Sequence, residues 1–469
     1  MFKDHFEGRN GDFMKKCDMN FLPEDISSVF FIGICGISMS SLAFITNDNG
    51  IKVGGSDTND GAMAAKLREA GIEIFIGHSA ENLKGYDAVV FTAAISPDNP
   101  EMVYARENGL PIINRAEYLG KVMLSYNNKI GVAGMHGKSS VTGMIAHLFI
   151  DADKNPTVLN GAITTELGGS AYKIGNKDNF IFEACEYKDS FLSFYPDIAV
   201  LLNLEMDHVD YFHSLEQIKE SFAKYADKAH TVVAFGDDED LCDALKNYKG
   251  RLVTYGKNKD KDDFYAYDIT ETEDGYDTFK IGHNGQLLCE CTLSVPGDHN
   301  VVNAVAAIAV AYLCGMDAQK AADSMGSFKG VMRRNEYKGT KNGVVIYDDY
   351  AHHPSEIKAS LHGLKKLCKG ELWCVYQPHT YSRTAGLFDE FITSFGEADR
   401  VIFAEIYAAR EENVFGISSK DLADKVDGAS YFPTFEEIAD HIKANAKEND
   451  LVVSMGAGDV FKVHELLLK

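Results

Sequence analysis

No run of 18 apolar residues occurs in the 469-residue sequence, so nothing in it has the length of a membrane-spanning helix. The first 25 residues alternate charge with single aromatics and lack the apolar stretch of a signal peptide. No C-x-x-C pair is present. Nine cysteines scatter from Cys17 to Cys374, and the closest two are Cys289 and Cys291. That argues against zinc and for reduced thiols in a cytoplasmic protein. Positive charge is also scarce: 46 basic against 70 acidic residues give −24. A field of that sign repels polyanions, which excludes nucleic acid and membrane surfaces as natural partners. It does not exclude a small phosphorylated ligand, because a local nest of amides and a few cations overcomes the global field. Repeats of 20–50 residues and low-complexity linkers are missing too.

What is present is an ordinary globular composition, 45% apolar and 25% charged, with length for two to four domains. Short apolar runs alternate with helical patterns along the whole chain, which predicts an α/β fold with parallel sheets. A first block, residues 1–126, carries "SSVFFIG", "KVGGSD", "IEIFIG", "DAVVFTAAI" and "PIIN" as strands. A second, 127–332, opens on "KIGVAGMHGKSS", continues through "NFIFEACE", "IAVLLNL", "TVVAFG" and "RLVTYG", and then reads as β-hairpins over 264–297. The segment "NVVNAVAAIAVAYLCG" predicts a strong helix. A third block, 333–469, alternates again through "GVVIYDDY", "ELWCVYQPH", "RVIFAEIY" and "DLVVSMGAG".

"GVAGMHGKSSVTGM", residues 131–144, leads from an apolar strand through glycines into a helix. Backbone N–H groups and the helix dipole make such a junction an anion site. It departs from G-x-x-x-x-G-K-[ST] at Val132, which stands where the first glycine belongs. On the phosphate reading Lys138 reaches the β- and γ-phosphates and Ser139 ligates Mg²⁺; the alternative is a tight turn with an exposed lysine. Magnesium wants oxygen donors. Glu183 and Glu186 follow one strand, and Asn203, Glu205, Asp207 and His208 follow another. Strand C-termini are where ligands sit in open α/β sheets, although acids there also serve as helix caps. Asp348, Asp349, His352 and His353 follow a strand in the third block, in a pattern suited to a turn that positions substrate. His379 and Arg383 follow the next, where the arginine pairs with a carboxylate or phosphate or simply faces solvent. "FIGICGIS" lacks the third glycine of a dinucleotide turn. With Asp57 about 20 residues on, it suits a uridine, a dinucleotide or no ligand.

Taken in order, these motifs resemble the Mur ligases of peptidoglycan synthesis over nearly the whole chain, from about Phe30 to Val460. The family's "GIGGIGMS", "GSD" and "DNPE" are here "GICGISMS", Gly55–Asp57 and Asp98–Glu101. "AGTHGKTT" is Ala133–Ser140, and "NIEADHMD" is "NLEMDHVD". The "PGxHNxxNAxAA" motif is Pro296–Ala307, and "GVxRR" is Gly330–Arg334. "DDYGHHPTE" is "DDYAHHPSE", while "QPHRYTRT" and "YAAGE" are "QPHTYSRT" and "YAARE". The last two point to the alanine-adding branch.

The resemblance implies three domains: a Rossmann-like UDP-binding domain, a central P-loop ATPase domain with a parallel sheet, and a Rossmann-like C-terminal domain that brings the amino acid. It implies ATP and Mg²⁺, with UDP-N-acetylmuramate and L-alanine as partners, joined through an acyl phosphate. Gly33, Gly36, Ser38 and Asp57 then hold the UDP-sugar. Gly134, Met135, His136, Gly137, Lys138, Ser139, Ser140, Asn303, Arg334 and Asp349 hold ATP. Ser139, Glu183 and His208 hold metal. Lys138, His136, Arg383 and His352 carry the chemistry, Arg383 facing the alanine carboxylate or the acyl phosphate. The chain departs from the family pattern at Cys35 and Ser38, at Met135, at Cys185, Tyr187 and Lys188, at Asp298, and at Arg410. Those departures leave open a paralogue that joins another amino acid or a peptide. A non-catalytic nucleotide-binding regulator is the alternative of another class. Oligomeric state is not encoded in any motif.

Overall fold

The computed structural model describes residues 26–469 except 93, 209, 210 and 410. The N-terminal 25 residues and Arg410 therefore lie outside the described residues. Three sheets follow one another along the chain. The first is all-parallel, in the order β3-β2-β1-β4-β5, from β1 (Ser28–Ile32), β2 (Lys52–Asp57), β3 (Glu73–Ile76), β4 (Ala88–Phe91) and β5 (Ile112–Asn114). All five residues of β1 are buried, as a strand covered on both faces requires.

The second sheet has ten strands. β6 (Asn128–Ala133), β9 (Asn179–Glu183), β10 (Ile198–Leu201), β11 (Thr231–Phe235) and β12 (Arg251–Gly256) form a parallel core with β7 (Thr157–Thr164). An antiparallel hairpin partner, β8 (Ser170–Lys173), closes one edge. The meander β13 (Phe264–Glu271), β14 (Asp277–His283) and β15 (Gln286–Thr292) extends the other. The predicted strong helix runs from His299 to Leu313. Eleven of its residues are buried, which is why its sequence is apolar all round rather than striped.

The third sheet runs β16-β17-β21-β18-β19-β20, with β16 (Glu336–Lys341), β17 (Val344–Asp349), β18 (Leu372–Tyr376), β19 (Arg400–Phe403), β20 (Ser430–Tyr431) and β21 (Leu451–Met455). Only β16 is antiparallel to its neighbour. The result is a three-domain α/β protein whose outer domains are Rossmann-like. The β7–β8 hairpin, β16 and the short β20 are elements the sequence reading did not separate. Among the described residues no helix is long and apolar enough to cross a membrane.

Candidate active site

Strand β6 ends at Ala133, and the chain turns through Gly134 (φ +152°) and Gly137 (φ +82°) into the helix Lys138–Asp151. A side chain at Gly134 would press to 2.8 Å from the Leu202 Cβ, so the turn admits only glycine. No side chain caps this helix, which leaves its first N–H groups directed at an anion. The loop is fixed from β10: Asn203 Oδ1 accepts the His136 N–H at 2.8 Å, and its amide donates to the His136 carbonyl at 3.1 Å. Met135, expected beside the phosphates, turns away from the cavity that His136 and Gly137 line. Its side chain is 6% exposed and packs in the hydrophobic core, and its N–H donates to the Asn203 carbonyl. A thioether substitutes here because the position is a core position.

Two acidic partners flank the lysine and serine. The Ser139 hydroxyl donates to Glu183 Oε2 at 2.6 Å, and the Gly161 N–H donates to the same oxygen at 3.0 Å. Lys138 Nζ donates to the Gly134 carbonyl at 2.6 Å and lies 3.0 Å from Glu186 Oε2. Burial opposes the ammonium, but Glu186 outweighs it and holds the lysine above its usual range. His208 sits 3.1 Å from Glu186 rather than turning to Glu183, so the expected metal trio divides into two pairs. His208 adopts φ +51°, a left-handed conformation that costs a non-glycine residue free energy and recurs at functional sites. The Ser139 hydroxyl and Glu183 carboxylate form an oxygen donor pair, with Gly161 leaving the space that a Cβ would fill against Glu183. This set suits Mg²⁺.

The third domain reaches this loop through the helix Pro354–Leu367. Glu356 caps that helix by accepting the N–H groups of His352 and His353 at 3.0 and 3.3 Å. Its other oxygen lies 3.2 Å from His136 Nδ1 and 3.3 Å from Arg334 Nη1. His353 Nδ1 is 2.7 Å from Glu205 Oε1, and Ser355 donates to the same oxygen. Arg383 Nη2 is 3.2 Å from Asp207 Oδ1. Burial would lower His136, yet Glu356 and Glu205 raise it to about 9. Burial lowers His352 to about 4, so it is neutral at pH 7. Burial would raise Asp207, but Arg383 brings it to about 2.

A pH prediction follows from His136. Because its pKa in the fold lies above 6.5, the stabilisation is complete below pH 6.5 and is lost as pH rises through about 9. Its carboxylate partners Glu205 and Glu356 are depressed, so their share is lost only on acidification. On the order of 2–3 kcal/mol is expected to disappear across the alkaline limb. Thermal midpoints of wild type and His136→Gln between pH 6.5 and 9 check this; parallel slopes would refute the assignment.

Beside the loop opens a cavity of ≈ 390 Å³ lying between the second and third sheets. Gly137, Ser140 and Asn303 stand at the end beside the glycine loop, Phe235, Tyr255 and Phe328 are among its apolar lining residues, and Arg334 and Asp349 line it from the third domain. Volume and lining suit a nucleotide-sized ligand. Burial raises Asp349 to about 6 against the pull of Arg334, and its carboxylate accepts the Asn335 and Ala351 N–H groups. His299 was not singled out from sequence. It lines the cavity, burial lowers it to about 4, and its Nδ1 is buried without a hydrogen-bond partner.

Gly33, Gly36, Ser38 and Asp57 belong to the first domain, in the turn and helix after β1 and at the end of β2, and line no part of this cavity. Gly33 turns at φ +79°, and Ser38 is exposed at the start of the following helix. Asp57 is engaged by the chain around it. Its Oδ2 accepts the Cys35 N–H at 2.9 Å and so shapes the glycine turn itself.

A glycine loop of phosphate-binding shape on a parallel sheet, reached at His136 by His353, Ser355 and Glu356 of a Rossmann-like domain, is the arrangement of a nucleotide-dependent enzyme working between domains. Residues 28–127 match the Mur ligase family catalytic domain, 132–311 the Mur ligase middle domain, and 333–458 the Mur ligase glutamate ligase domain. The chain belongs to the Mur ligase family. It is 42% identical to a UDP-N-acetylmuramate–L-alanine ligase of Clostridium acetobutylicum, covering 95% of this chain and 99% of that one. It is 44% identical to a ligase of the same name from Caldicellulosiruptor saccharolyticus, covering 94% and 98%. Among solved structures, the UDP-N-acetylmuramate–alanine ligase of Thermotoga maritima matches with a TM-score of 0.79 and 30% identity, over 94% of this chain and 98% of that one. A murein peptide ligase from Psychrobacter arcticus matches at 0.70 and 25% over the same shares.

Proposed function

We propose that this protein joins L-alanine to the lactoyl carboxylate of UDP-N-acetylmuramate at the expense of ATP, in the cytoplasm. The observation that carries the reading is the uncapped glycine turn of Gly134–Lys138 opening onto a nucleotide-sized cavity that the third domain completes. The alanine-adding relatives, at higher identity and TM-score than the peptide ligase, support alanine as the amine. The lactoyl carboxylate attacks the γ-phosphorus and ADP leaves. The amine then attacks the acyl carbon of the acyl phosphate, and inorganic phosphate leaves as the amide forms.

Such chemistry is mostly positioning and charge neutralisation. Gly134–Ser140 and Lys138 hold the phosphates, with Asn303, Arg334 and Asp349 around the rest of the nucleotide. Cationic His136 faces the developing acyl phosphate. Arg383 takes the alanine carboxylate, and neutral His352 accepts a hydrogen bond from the attacking amine. Ser139 and Glu183 would hold Mg²⁺, which when bound offsets the charge of the phosphates, while His208 acts on Lys138 through Glu186. Gly33, Gly36 and Ser38 hold the UDP end, the turn being shaped by Asp57. The third domain closing over the loop excludes water from the acyl phosphate.

Phosphate release from ATP tests the reading, with and without UDP-N-acetylmuramate and against a panel of amino acids and a preformed peptide. Turnover that requires both the nucleotide sugar and alanine is expected. Turnover only with the peptide, or binding without turnover, would overturn it. Gly161→Ala tests the magnesium site separately. The new Cβ collides with the Glu183 carboxylate, so the Mg²⁺ concentration for half-maximal rate should rise about 10–100-fold. An unchanged Mg²⁺ dependence would refute the placement at Glu183.

A further inference from the structure

The helix Pro354–Leu367 lies against the central domain along one face, at positions 355, 359, 363 and 366, which share a side at helical spacing. At its start Ser355 donates to Glu205, and Ala359 lines the nucleotide cavity. At its middle Gly363 meets Gly297 so closely that a Cβ would sit 2.7 Å from the Gly297 Cα. At its end Lys366 enters a nest of three carboxylates. Its Nζ lies 2.5 Å from Asp298, 3.0 Å from Glu271 and 3.9 Å from Asp277. The three acids come from the end of β13, the start of β14 and the residue before the His299–Leu313 helix. The turn between β13 and β14 also packs on this helix end, with Gly275 facing Leu367.

We infer that Lys366 is a positioning residue for the reaction: it clasps the third domain onto the central one and so delivers Ser355, Glu356 and Ala359 to the nucleotide cavity. All three acids sit on one domain and the cation on the other, so the attraction acts on closure and not on the fold of either domain. Asp277 is 3% exposed, and Lys366 offsets the burial that pushes its carboxyl up. Glu271 and Asp298 are about half exposed, so salt reaches the clasp and weakens it. The helix supplies one wall of the cavity, so a protein that spends less time closed binds ATP with an affinity reduced by the closed fraction. Saturating nucleotide restores the closed form, so the loss falls on KM rather than kcat. Lys366 touches no substrate and acts only through this helix.

Lys366→Met, which keeps the aliphatic stem and removes the charge, is the test, with Lys366→Arg as the conservative rescue. Small-angle scattering of the full chain reads the arrangement without reference to activity, which separates this inference from the ligase reading on which its kinetic arm rests. Lys366→Met is expected to enlarge the radius of gyration and to raise the KM for ATP about 5-fold or more at unchanged kcat. The wild-type salt dependence of both should flatten in Lys366→Met and return in Lys366→Arg. A Lys366→Met protein with wild-type radius and KM, or a Lys366→Arg protein as impaired as Lys366→Met, would overturn the inference.

Discussion

Lys138→Ala is expected to lower turnover by about 10²–10³-fold, the loss typical of removing one preorganised charge from a site of charge development. The ammonium is held by the Gly134 and Met135 carbonyls and by Glu186, within the turn that precedes the uncapped helix. Removing it has a second consequence. Glu186 is 1% exposed on its side chain, and the contact left to its carboxylate is the one with His208 at 3.1 Å. Leaving a buried carboxylate so poorly paired costs about 3–5 kcal/mol. An inactive Lys138→Ala protein could thus be inactive through instability alone. The double variant Lys138→Ala/Glu186→Gln separates the effects, because a neutral amide at 186 removes the buried charge. Its thermal midpoint should recover toward wild type while phosphate release stays low. Near-normal release from a folded Lys138→Ala protein would end the phosphate-loop assignment.

How much of this was legible beforehand varies with the range of the interaction. Strands such as β1, β6 and β18 read directly as short apolar runs, because a buried parallel strand is apolar on both faces. The meander β13–β15 was equally plain from its alternation and its turns at Gly275 and Gly285. The β7–β8 hairpin was not, because its glycine-containing strand and shifted register blur the alternation. In the site, the glycines and the lysine of the loop carry a local backbone signature. Met135 misled because its neighbours His136 and Gly137 line the cavity while its own side chain turns to the core. At Asp57 a spacing of 20 residues suits a ribose, and equally suits a carboxylate that ties down Cys35. Gly161, His299 and Glu356 were overlooked since their roles exist only after packing. Gly161 matters for the space it leaves beside Glu183. His299 is distinguished by an orphaned buried nitrogen, and Glu356 by its partner His136, 220 residues away. The one local hint at Glu356 was its place three residues after His353, where a capping-box acid belongs.

Glu356→Gln should damage the enzyme nearly as much as loss of the loop lysine, by a different route. The glutamine oxygen can still accept the His352 and His353 N–H groups, so the helix start survives. What disappears is the negative charge shared by His136 of the loop and Arg334 beside the cavity. That carboxylate side chain is 9% exposed, and burial alone would raise its pKa; the surrounding histidines and Arg334 hold it well below the usual range. Without it, cationic Arg334 and His136 face one another across the domain interface. Losing one partner of such a buried group costs about 3–5 kcal/mol, which corresponds to about 10²–10⁴-fold in kcat/KM when it falls on the reactive arrangement. Glu205 keeps part of the support for His136, which sets the lower end of that range. The same substitution should move the His136 titration down from about 9, since the largest charge raising it has gone. Histidine proton resonances followed from pH 5 to 10 read that shift independently of rate. A His136 that still titrates near 9, in a protein with wild-type kcat/KM, would show that Glu356 caps its helix and does no more.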